Sequence, residues 1–164
     1  MRSEPQKSRT TFSIAQHDKA MEDLVTSTDK KVLAAWAIEC AARVLPFFEE
    51  IFPDDSRPRD ALAVLREWVS SGIFHMDVIR GASFAAHAAA REAGEDSAAR
   101  SAARAAGQAV ATAHVARHSL GAALYARQAV FKRASPAEAM AAAARERDWQ
   151  YLRLVALREP KSGQ

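Results

Sequence analysis

Residues 81–144 read GASFAAHAAAREAGEDSAARSAARAAGQAVATAHVARHSLGAALYARQAVFKRASPAEAMAAAA, close to half alanine. Alanine is the best helix former and adds almost no side-chain volume. Nothing here alternates with a period of two for long, and no Asn-Gly turn marks a hairpin. The stretch therefore reads as several helices whose alanine faces let neighbours pack closely. A polar residue embedded in such a face must point outward, find a partner, or serve a function.

Local signals divide the chain into about six helices. The third starts near Met76 or Asp77 and stops at Gly94. Asp96 or Ser97 caps the fourth, predicted to run through Val115. His118, Ser119 and Gly121 mark a corner before the fifth, which holds Leu124, Tyr125, Val130 and Phe131. Ser135-Pro136-Ala137-Glu138 predicts the start of the sixth, with Ser135 as cap, Pro136 in first position and Glu138 closing a capping box. Upstream, Thr28 or Asp29 caps the first helix, whose Val32, Leu33, Trp36, Cys40 and Val44 recur at steps of three and four. Pro46 is expected to bend or end it near Leu45. Asp55 or Ser56 caps the second, Pro58 sits in its first turn, and Gly72 closes it. Trp36, Trp68 and Trp149 fall on apolar faces as core anchors. The expected fold is a single all-α bundle over residues 28–158. A partly disordered arm, 1–27, with one weak amphipathic segment precedes it, and a tail, 159–164, follows.

Composition narrows the function. The chain has 164 residues, 49% hydrophobic and 26% charged, enough for one domain with a real core. Its net charge of +3 is small and scattered, with no Lys/Arg run interleaved with aromatics, so nucleic acid is not the expected partner. Cys40 is the single cysteine; it permits no intramolecular disulfide and fits a reducing cytoplasm, the expected location. Arg or Glu interrupts every alanine run, so no membrane span is expected. There is no phosphate-binding loop, dinucleotide fingerprint or nucleophile elbow, and no cofactor is expected.

Three groups of polar residues remain. Ser83, His87 and Arg91 share one face of the third helix, and Arg100, Arg104 and Gln108 share one face of the fourth, continued by Thr112. A short turn joins these helices, which are expected to be antiparallel neighbours. The stripes are either solvated outer faces or one shared groove, rich in donors and poor in acids, suited to a carboxylate, a phosphate or an acidic loop of another protein. His114 and His118 stand four apart. They read either as donors to helix-terminal carbonyls or as two metal ligands, with His87, Cys40 or an aspartate of the 54–55 turn as third. A metal-binding protein or metal-dependent enzyme using His87, His114 and His118 is thus the alternative reading. In Asp54-Asp55-Ser56-Arg57-Pro58-Arg59-Asp60 the arginines either pair with the neighbouring acids or reach the groove. The alanine faces could also meet a second copy, giving a homodimer.

The strings LAAWAIECAARVLPFFEEIFPDDSRPRDAL (33–62), FAAHAAAREA (84–93) and ARAAGQAVATAHVARHSLGAALYARQAV (103–130) together resemble the bacterial putative immunity proteins of the immunity-five-like type, over roughly residues 30–155. The resemblance implies an all-helical, cytoplasmic protein that is not an enzyme and neutralises a toxin of a polymorphic or contact-dependent system by binding it. Matching positions include Trp36, Cys40, Pro53, Asp54, Pro58, Asp55, Arg57, Arg59, His87, Arg91, Gln108, His114 and His118. With Arg104 from the stripe, the candidate binding set is Asp55, Arg57, Arg59, His87, Arg91, Arg104, Gln108, His114 and His118. Inhibitors of basic nucleases are usually acidic, so this slightly basic chain does not favour a nuclease toxin.

Overall fold

The computed structural model describes residues 11–14 and 17–160, and these contain seven helices and no strand. They are α1 Lys19–Thr26, α2 Lys30–Glu49, α3 Arg57–Ser71, α4 Met76–Glu92, α5 Ala98–Ala111, α6 His118–Arg133 and α7 Ala139–Arg158. Among the described residues no helix is long and apolar enough to cross a membrane.

The helix ends follow local chemistry. Asp29 caps α2 by accepting from the Lys31 amide, and Ser97 caps α5 by accepting from the Arg100 amide. Gly72 and Gly94 end α3 and α4 at φ of 71° and 85°, which costs a glycine no Cβ clash. Asp18 caps α1 through the Met21 amide, and Met21, Leu24 and Val25 are buried. The weak amphipathic segment of the expected arm thus supplies a seventh helix.

Other boundaries differ from expectation for identifiable reasons. Pro46 lies inside α2, which runs on to Glu49. In the last turn a proline forfeits one hydrogen bond, and the continued helix buries Phe48 and stacks it against Phe52 at 5.1 Å. Helix α5 stops at Ala111, four residues before Val115. The chain there tightens into i→i+3 bonds from Thr112, Ala113 and His114 to Ala109, Val110 and Ala111. At α7, Ser135 to Glu138 form a separate turn, with the Glu138 amide on the Ser135 carbonyl; Glu138, not Ser135, is the cap residue.

Helix α5 is the centre of the bundle and packs against α2, α3, α4 and α6. Nine of its 14 residues are buried, all small except Val110. The bulk comes from its neighbours: Trp36, Phe48, Leu33, Leu62, Leu65 and Leu154 are fully buried. A thin helix surrounded by helices with large side chains lets the bundle pack closely. The alanine faces expected to be available to a second copy are consumed within the chain: Ala86, Ala89, Ala90, Ala102, Ala103, Ala106, Ala122, Ala123 and Ala126 are all buried. Trp36 and Trp68 are buried core anchors, whereas Trp149 is half-buried and carries the Arg43 guanidinium 3.8 Å from its ring centre.

Candidate functional site: the α4–α5–α6 face

Helices α4 and α5 run antiparallel, as Ser83 donates to the Gly107 carbonyl at 3.0 Å and Arg104 Nη1 meets His87 Nδ1 at 3.0 Å. The approach is close because of Gly107: a Cβ there would stand 2.7 Å from His87 Nε2. Arginine always donates, so His87 Nδ1 accepts and the ring is neutral, with its proton on Nε2. Burial, then the Arg104, Arg91 and His118 charges, push the His87 pKa down to about 4. A neutral imidazole orients Arg104 without cancelling its charge.

Arg104 has no carboxylate partner among the described residues. Burial depresses its pKa; Tyr125 opposes the shift, and the Arg100 and Arg91 charges add to it. Three guanidinium groups thus act on one region. Helix α6 completes it. His118 Nδ1 meets Gln108 Oε1 at 2.8 Å, and burial followed by His114 lowers the His118 pKa. Gly121 leaves room for Gln108, whose amide oxygen would lie 2.6 Å from an added Cβ.

The candidate set divides in two. His87, Arg91, Arg104, Gln108, His114 and His118 are linked, through contacts or mutual electrostatic effects, along one face of α4, α5 and α6. His114 and His118 do not lie on a continuous helix, since α5 ends at Ala111 and α6 begins at His118; the turn between brings them near each other. Asp55, Arg57 and Arg59 belong elsewhere. Arg57 holds Asp55 with Nε and Nη2 and reaches Glu92 at the end of α4, while Arg59 pairs with Glu49 of α2. This turn braces α3 against its neighbours, and the reach of Arg57 to the groove is not observed.

The metal alternative fails on donor chemistry. Among the described residues no three His, Cys, Asp or Glu side chains are grouped to hold an ion. His87 Nδ1 faces a guanidinium, which repels a cation, and His118 Nδ1 is engaged by Gln108. Cys40 is fully buried, and burial with the nearby Glu146 charge holds its thiol well above the usual range.

Beside Arg104 a cleft of about 430 Å³ opens between α5 and α6, lined in part by Arg100, Arg104, Tyr125 and Gln128. Tyr125, Gln128 and Lys132 were not among the candidates, although with Gly121 they repeat at steps of four, three and four, a readable helical stripe. A larger cleft of about 700 Å³ lies between the N-terminal segment and α7. Its Asp18 and Arg147 are spent on one another at 2.7 and 3.0 Å.

The described residues thus form an all-helical bundle whose α4–α5–α6 face gathers arginine, histidine and glutamine side chains. The model of the Imm-5 like putative immunity protein family matches residues 23–157, and the chain belongs to that family. No curated protein and no solved structure matches it.

Proposed function

We propose that this chain is an immunity protein that binds a cognate bacterial toxin and neutralises it through the α4–α5–α6 face, acting by occupancy and not by catalysis. Family membership supports a toxin as the class of partner. The single observation that carries the choice of surface is the cluster of Arg91, Arg100 and Arg104, none of which forms an ion pair among the described residues. Arginine is enriched at the centres of protein interfaces, where its planar fork recognises carboxylates. The proposed contacts are His87, Arg91, Arg104, Gln108, His114 and His118, and the surface they complement is acidic. Asp55, Arg57 and Arg59 act in this reading as supports.

The test mixes the purified chain with the toxin encoded beside its gene and follows complex formation by calorimetry and toxin activity by a growth assay. A tight complex and rescued growth are expected. A double variant, Arg91→Ala with His114→Ala, should keep its circular dichroism and lose at least about tenfold in affinity. The reading of the surface is overturned if that variant binds like the parent, and the reading of the function if no complex forms.

A further inference from the structure

We infer that the cleft between α5 and α6 is a seat for a carboxylate, one aspartate or glutamate side chain of the protein partner; the source of that side chain rests on the function proposed above. Arg100 and Arg104 stand one turn apart on α5 and both line the cleft. Like charges at this spacing weaken a helix, and an anion between them removes the repulsion. Among the described residues no acid does so: neither guanidinium forms an ion pair. Arg104 gives one N–H to His87, which fixes its direction and leaves its other donors for a ligand.

Part of the remaining lining offers donors to an acceptor, while Ile14 of the N-terminal segment adds an apolar edge. Ser101 donates to Gln128 Oε1 at 2.8 Å, which turns the Gln128 amide nitrogen away to act as a donor. Tyr125 brings a phenol beside Arg104. Lys132 is held by Asp96 at 3.0 Å. Asp96 and Glu95, both exposed on the α4–α5 turn, also line the cleft. At this cleft these two carboxylates disfavour a multiply charged phosphate chain more than one singly charged carboxylate.

The probe is N-acetyl-glutamate α-amide, which carries one side-chain carboxylate, titrated into the ¹⁵N-labelled full chain. The guanidinium Nε–Hε signals of Arg100 and Arg104 should shift and saturate in the millimolar range, while those of Arg145 and Arg158 on α7 stay in place. Arg104→Lys keeps the charge and removes the fork; Arg100→Gln removes the neighbouring charge. Each should weaken binding by about fivefold or more. Arg100→Gln decides the matter if Arg104→Lys does not fold. Equal, non-saturating shifts at every arginine would overturn the inference, as would unaltered binding by the variants. Pyrophosphate binding more tightly than the glutamate amide would overturn it in favour of a phosphoryl ligand. No toxin enters this titration, so its failure leaves the immunity reading standing, and failure of the toxin complex leaves the titration standing.

Discussion

Around α7 four arginines meet partners. Arg43 grips Glu146 with two hydrogen bonds, Arg153 grips Glu39, Arg147 grips Asp18, and the buried Arg127 donates to Gln150 Oε1 at 2.8 Å. On the α4–α5 face, Arg91, Arg100 and Arg104 meet no carboxylate among the described residues, and Arg104 hydrogen-bonds to a neutral ring. The same residue type serves two ends. In the first region the pairs hold helices together and satisfy buried charge. In the second the charges repel, so the fold gains nothing from having three of them there. That contrast is the physical ground for assigning recognition to the second region.

The contrast can be broken most forcefully at Gln150. Its side chain accepts from Arg127 and donates to the Ala123 carbonyl at 3.0 Å, both in the interior. Gln150→Leu keeps much of the volume and leaves a buried guanidinium N–H and a carbonyl unmet. A loss of about 3–5 kcal/mol in urea unfolding is expected; a loss below about 1 kcal/mol would show that this network is not structural.

A smaller effect tests the neutral ring. His87 titrates near 4 when folded, against 6.5 for the free side chain. Between these values the unfolded chain takes up the proton and the folded chain does not, so stability falls as pH drops from 6.5 towards 4 and is fully present above that window. With solvent screening of a half-buried ring, the His87 contribution is on the order of 1–2 kcal/mol. Unfolding midpoints at pH 7 and pH 4.5 should converge in His87→Gln relative to the parent. An equal acid sensitivity in both proteins would mean that His87 is charged in the fold.

The smallest effect sharpens the comparison by its size. Arg91→Gln removes an exposed cation without a partner and should move stability by less than about 0.5 kcal/mol in the same assay. A larger loss would place Arg91 among the structural arginines and erase the distinction.

Much of the scaffold was readable because helix ends are set by near neighbours. Asp29, Gly72, Gly94 and Ser97 act through atoms within three or four residues, as their identities suggest. Pro46 and Thr112 were misleading because packing decides there: burial of Phe48 carries α2 past its proline, and a tightening of the chain ends α5 early. The stripes of α4 and α5 were legible as separate faces, and their juxtaposition followed from the short turn. The fate of Arg57 was not, because its partner Glu92 lies 35 positions away and sequence spacing carries no record of that encounter. The cleft was missed for a related reason: α6 had to be laid against α5 before Tyr125 and Gln128 could be seen beside Arg100.

The crowded interior of α5 also limits how this protein can change over generations. Gly107 admits no added carbon without moving His87, and the buried alanines beside it leave little space for bulkier replacements. Substitution is therefore expected first at the exposed positions 91 and 114, where one side chain can replace another while the scaffold stays intact. Under the proposed function, descendants that bind different toxins should diverge at those positions and agree along the axis.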